Sequence, residues 1–258
     1  MKSKSLSGML KKGVKNLSYA TLIAGTSLIY GKDSQNNENQ NYSSFLKESN
    51  QSDYFFELEH KKGLENKMTG CLELDIVLLG DFSGSVRGYQ GFIADAFESF
   101  VNRFELYESG VRVGIVMFND NPIIVSKITT DKNQLLKEIN TIRKSDVGNY
   151  TNINSGLVVA YNLLNESNRP KKMIIVISDG SPNVISEEYG ENNLTPDVKI
   201  KTLNTAQSIK TDCMICGILI QSGSADEKFM MQMSNPECYV SSNYEMLASE
   251  LENLDICF

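Results

Sequence analysis

The 258-residue sequence has one histidine, His60, and only five cysteines. Five thiols are too few for a scaffold built on disulfides. The single CxxC, Cys213-Met-Ile-Cys216, lies inside an apolar run with no second pair to complete a metal site. That placement argues against structural zinc, and against a redox dithiol, which needs an exposed helix start. Cys213 and Cys216 therefore read as small apolar packers. No GxxxxGK[ST] loop occurs and His60 falls in a polar stretch, so no general base is in place. Long hydrophobic runs are missing too. The uncharged stretch 16–31 is too short, and too rich in Ser, Thr, Gly and Tyr, to read as a membrane span.

Acidic residues are absent from one place. Residues 1–32 carry Lys2, Lys4, Lys11, Lys12, Lys15 and Lys32 and no Asp or Glu, which leaves 19 basic against 32 acidic residues in the remainder. An acidic body excludes nucleic acid as its partner, because neutralising phosphates needs clustered Lys and Arg. It suits cation binding.

Composition divides the chain in three. Residues 1–31 form a basic N-terminal segment, readable equally as a signal peptide with a long lysine-bearing start or as an amphipathic docking helix that could contact a membrane. Residues 32–70, rich in Asn, Gln, Ser, Glu and Lys, read as a solvated linker. From Cys71 to the end, 71–258, strands and helices alternate. Strand-like runs lie at 74–79, 111–118, 123–125, 173–178, 213–220 and 238–240. Helical patterns lie at 92–104, 132–142, 153–164, 197–209, 226–233 and 244–254. The aromatic stripe of 92–104 is core packing at period 3.6, and Leu247, Leu251 and Leu254 form the docking stripe of the last helix. Near-continuous apolar strands between helices mean a doubly wound, mostly parallel α/β sheet with helices on both faces. Residues 123–125 follow an Asn-Asp-Asn-Pro turn and read as an antiparallel edge strand.

Ligands of such sheets sit at the carboxyl ends of the parallel strands. There the sequence gathers Asp81, Ser83 and Ser85 after the first strand, Asp179 after the run 173–178, and Thr151 just before a helix. Each signal is weak alone: Asp-Xaa-Ser-Xaa-Ser can cap a helix, and Asp179-Gly180 can be a turn. Together they supply two carboxylates and three hydroxyls, with neither imidazole nor thiolate. Oxygen-only donors select hard cations, Mg²⁺, Mn²⁺ or Ca²⁺. Two carboxylates nearly balance a dication, leaving it able to take one more anionic ligand. The loops 86–90, 146–150 and 181–195 are placed to flank such a site.

Asp81-Phe-Ser83-Gly-Ser85, Thr151 and Asp179-Gly, in this order, resemble the metal-ion-dependent adhesion site of von Willebrand factor type A domains, over about residues 72–258. The resemblance implies a Rossmann-like fold and no enzymatic activity. It implies direct ligation by Ser83 and Ser85, Thr151 joining in the ligand-bound state, Asp81 and Asp179 acting mostly through water, and a partner's Asp or Glu completing the shell. It further implies coupling between the last helix and Thr151. The pair Cys71 and Cys257 resembles the terminal disulfide of extracellular members, though two unrelated thiols fit as well. A secreted or surface-associated placement is favoured over a cytoplasmic one.

The function expected is a cation-dependent protein-binding module for adhesion or assembly. The alternatives are a structural adaptor in a larger complex and a Mg²⁺-dependent hydrolase. Phosphatases of that kind want a second Asp two residues after the first, where this chain has Ser83.

Overall fold

The computed structural model describes residues 73–256 apart from 181, 186–197 and 224. The basic segment 1–31, the linker 32–70, Cys71, Cys257 and most of the 181–195 loop lie outside the described residues. Six strands form one sheet: β1 (Leu74–Asp81), β2 (Val111–Phe118), β3 (Pro122–Thr129), β4 (Lys171–Ser178), β5 (Met214–Ile220) and β6 (Tyr239–Ser242). Their spatial order is β3-β2-β1-β4-β5-β6. All neighbours pair in parallel except β2 and β3, which run antiparallel, as the turn before Pro122 implied.

Every residue of β1 is buried, because helices cover both faces of the strand. Successive side chains point to opposite faces, so Leu74, Ile76 and Leu78 enter one apolar cluster while Val77 and Leu79 enter the other. The first cluster is capped by α1 (Gln90–Asn102), whose Ile93, Ala96, Phe97, Phe100 and Val101 form one buried stripe. Burial of each such large apolar side chain contributes about 1.5–3 kcal/mol. The second cluster is capped by α4 (Ile153–Asn165) through Ile153, Leu157, Ala160 and Leu164. The remaining helices are α2 (Leu106–Ser109), α3 (Lys132–Ile142), α5 (Val198–Ile209), α6 (Glu227–Met233) and α7 (Leu247–Asn253). Among the described residues, no helix is long and apolar enough to cross a membrane.

Three features depart from the sequence reading. The four residues of α2 are too few to show a period. The last helix does not begin as one: residues Tyr244–Met246 form a 3₁₀ turn, capped by the Asn243 side chain, before α7 starts. Leu247 and Leu251 are wholly buried as its stripe required, and Leu254 nearly so. The third is a correction. Cys216 is not a plain apolar packer but is joined to Cys238, with Cα atoms 4.7 Å apart. The parallel register sets Gly217 beside Tyr239, so the residues just before them meet at the edge of β5 and β6. Cys213 keeps its thiol, and burial pushes that thiol up to about 12.

At the amino ends of the strands, the wholly buried Asp75 takes two hydrogen bonds from Arg112 (2.8 and 2.7 Å), with Arg169 at 3.5 Å. This ion cluster lies at the opposite end of the sheet from Asp81.

Candidate metal centre

Asp81 is the last residue of β1, an interior strand flanked by β2 and β4, and is completely buried. One carboxylate oxygen accepts from the Ser83 amide (2.8 Å), and the other accepts from the Ser178 hydroxyl at the end of β4 (2.6 Å). The chain then turns through a 3₁₀ element, Gly84–Val86, that brings the Ser83 and Ser85 hydroxyls within 3.1 Å of each other. Ser83 is buried and Ser85 is exposed, so the cluster opens to solvent on the Ser85 side.

Asp179 follows Ser178 and is also buried, at 1 % exposure. Its backbone oxygen accepts from the Asp226 amide (3.0 Å) at the start of α6. Gly180 then adopts φ +76, and a Cβ there would lie 2.4 Å from Met230 Cγ. Only glycine lets the chain leave Asp179 at this angle. The two carboxylates feel each other. Burial is the main reason the Asp81 carboxyl is pushed up to about 6, the charge of Asp179 adds to it, and the Ser178 and Ser83 hydrogen bonds oppose it.

Thr151, nearly buried, comes from the other side. Its loop packs on the Ser83–Ser85 turn, where Gly148 donates to the Phe82 carbonyl (2.9 Å). Asp120, in the β2–β3 turn, holds the loop from below: one carboxylate oxygen accepts from both the Asn149 and Tyr150 amides (2.8 and 2.6 Å). A Cβ on Gly148 would fall 2.6 Å from Asp120 Oδ1, so the close approach requires glycine. Asn183, four residues past Asp179, exchanges two bonds with Thr151: its side chain accepts from the Thr151 amide (2.8 Å) and its own amide donates to the Thr151 carbonyl (3.1 Å).

The fold thus places Asp81, Ser83, Ser85 and Asp179 at the carboxyl ends of β1 and β4, and ties the Thr151 loop to both segments through Phe82 and Asn183. Sequence reasoning missed Ser178, which bonds Asp81, Asn183, which bonds Thr151, and Asp120, which holds the two residues before Thr151. A serine immediately before Asp179 was the one visible hint. Also missed was Tyr244, nearly buried, whose phenol burial pushes up, with Asp179 and Asp81 adding to the shift.

A model of the von Willebrand factor type A domain matches residues 75–254. The chain belongs to that family. Among curated proteins, this A domain is similar to an uncharacterized protein of Borreliella burgdorferi, 27% identical over 156 residues, which covers 59% of this chain and 42% of that one. Among solved structures, the open conformation of the pilus adhesin SpaC from Lactobacillus rhamnosus GG matches with a TM-score of 0.59 at 21% identity, covering 70% of this chain and 29% of that chain. The manganese-loaded TRAP protein of Plasmodium vivax matches with a TM-score of 0.56 at 17% identity, covering 73% of this chain and 76% of that chain. The chain spans less than half the length of the Borreliella relative and of SpaC. At these identities the structural likeness shows the fold alone.

The donor set of the A domain suits a hard dication. Among the described residues no group of three or more His, Cys, Asp or Glu is arranged to hold a metal ion, so a site here would rest on hydroxyls beside the two carboxylates. What remains at the crevice is two buried carboxylates with neutral hydroxyls. Asp81 is held by an amide and a hydroxyl, and the charge that raises its pKa is another carboxylate. A cation would relieve that arrangement, as buried charge is costly unless paired.

Proposed function

We propose that this A domain is a divalent-cation-dependent protein-binding module, used in adhesion or assembly, that captures an acidic side chain of a partner. Ser83, Ser85 and Thr151 would hold the cation (Mg²⁺, with Mn²⁺ or Ca²⁺ as substitutes), and Asp81 and Asp179 would balance it, mostly through water. The observation that carries the reading is the complete burial of Asp81 with Asp179 as its charged neighbour. Such a pair is poorly placed for folding and well placed for a dication.

Bound there, a dication supplies a coordination position for one external carboxylate. The residues of the chain do the rest. The Ser83 amide and Ser178 fix the Asp81 carboxylate, Asn183 and Asp120 fix the Thr151 loop, and the exposed Ser85 side admits the partner. A docked partner surface excludes water, and attraction between cation and carboxylate grows as the local dielectric falls. The disulfide Cys216–Cys238 supports a secreted or surface-associated placement, where thiols oxidise and persist as disulfides. The naming of one structural neighbour as a pilus adhesin and of another as manganese-loaded is in keeping with the reading.

Titration calorimetry with Mg²⁺ and Mn²⁺ tests it. The wild type should bind one equivalent, and Ser83→Ala with Ser85→Ala should abolish the heat while leaving the circular dichroism unchanged. Capture of an acidic protein ligand should be lost in EDTA and return with Mg²⁺. Metal binding that persists in the double variant would show that the site is misassigned. Metal-dependent phosphoester turnover, lost in the same variant, would replace the binding module by a hydrolase.

A further inference from the structure

Tyr244 follows β6, at the carboxyl end of the sheet where Asp81 and Asp179 lie. It is 8 % exposed, and its hydroxyl has no hydrogen-bond partner among the described residues. Its ring is stacked on Tyr89 at 4.1 Å between centroids and 10° between planes, with the Phe92 ring 6.0 Å away. Tyr89 lies three residues beyond the Ser83–Val86 turn, so the loop that carries two of the donors also fixes the orientation of the Tyr244 ring. A buried hydroxyl without a partner is uncommon in folded proteins and calls for an explanation. Burial pushes the phenol up, and the nearby charges of Asp179 and Asp81 add to the shift.

We propose that Tyr244 is a sixth, positioning member of this site, whose hydroxyl hydrogen-bonds the water shell of the cation by accepting from a cation-bound water. The inference rests on the metal reading above. A water bound to a dication is a strengthened donor, and a phenol that keeps its proton still offers a lone pair. Because Tyr244 opens the 3₁₀ turn that leads into α7, the same bond ties the cation's shell to the last helix. This link involves none of the five oxygen donors.

Tyr244→Phe removes only the hydroxyl and keeps the stacked ring. Two effects of opposite sign are expected. Mg²⁺ affinity by calorimetry should fall about fivefold, the size of one ordinary hydrogen bond. The melting temperature in EDTA should stay level or rise, because a buried polar group without a partner is removed. The chain has no tryptophan, so tyrosine emission gives a third readout, and the change on adding Mg²⁺ should shrink in the variant. Tyr244→Leu should lose affinity as Tyr244→Phe does. An unchanged affinity in Tyr244→Phe overturns the inference, as does a lower melting temperature in EDTA, which would mean the hydroxyl is already bonded. Loss of affinity in the Leu variant alone overturns it as well, since the ring and not the hydroxyl would then act. The Ser83→Ala, Ser85→Ala protein separates the two levels. If it binds Mg²⁺ like the wild type, the metal reading fails. If it does not bind and Tyr244→Phe does so normally, only the role of Tyr244 fails.

Discussion

Removing the charge of Asp81 should stabilise this domain when no cation is supplied. The carboxyl is completely buried and its pKa rises from 3.8 to about 6. At about 1.4 kcal/mol per pKa unit, the ionised form costs the folded state about 3 kcal/mol at pH 7.5. Asp81→Asn keeps the shape and an acceptor for the Ser83 amide, and Ser178 can turn its hydroxyl to accept from the new amide. The pKa of about 6 already includes the Ser178 and Ser83 hydrogen bonds to the ionised form, so the net stabilisation is about 3 kcal/mol. The sign of the pH dependence follows. A carboxyl whose folded pKa lies above its unfolded value favours folding while protonated, and that contribution is lost as pH rises from about 4 through about 6. We therefore predict that in EDTA the stability difference between variant and wild type grows from near zero at pH 4 to its full value above pH 7. Urea melts at five pH values measure it. In excess Mg²⁺ the order should reverse, since only the wild type gains from the cation. A variant less stable than wild type in EDTA at pH 7.5, or a difference that does not change with pH, would refute the reasoning.

Three further predictions concern the frame around the site. Arg103 donates to the carbonyls of Leu251 and Leu254 (2.8 Å each), securing the end of α7 against α1. Leu251→Ala should loosen that helix, costing about 2–5 kcal/mol of stability, and shift partner affinity by more than twofold in titrations at saturating Mg²⁺. Cys216→Ser with Cys238→Ser should cost about 3 kcal/mol for the loss of a cross-link spanning 22 residues, read as a lower urea midpoint that dithiothreitol reproduces in the wild type. Arg112→Ala leaves the buried Asp75, among the described residues, with the more distant Arg169 and should cost about 3 kcal/mol. Calorimetry should show its Mg²⁺ affinity unchanged, because Asp75 lies at the other end of the sheet.

The sheet was legible because each strand announces itself locally. The eight buried residues of β1 and the stripe of α1 need no distant partner to be recognised. Asp81, Ser83 and Ser85 were legible for a related reason: three oxygen-bearing side chains alternate at the end of an apolar run, a signal weak alone and strengthened by Thr151 and Asp179. Asn183 and Asp120 were not, since an Asn or Asp in a loop gains its meaning only from the amide it meets about 30 residues away. The bond between Cys216 and Cys238 depends on the register of a four-residue edge strand, which no period in the sequence reveals. Tyr244 fell within an expected helix, where a tyrosine reads as one more packing residue.

The hold of the β2–β3 turn on residues 149–152 has a kinetic consequence. Asp120 and Asn119 together take three amides of that segment, and the Asn152 side chain donates back to Asp120. Much of its conformational freedom is therefore surrendered when the domain folds, before any cation is present. At the proposed site, loading would then be timed by how quickly the ion sheds its own waters, a step at which Mg²⁺ is slow. The edge hairpin would thereby leave the ion and not the polypeptide to set the pace.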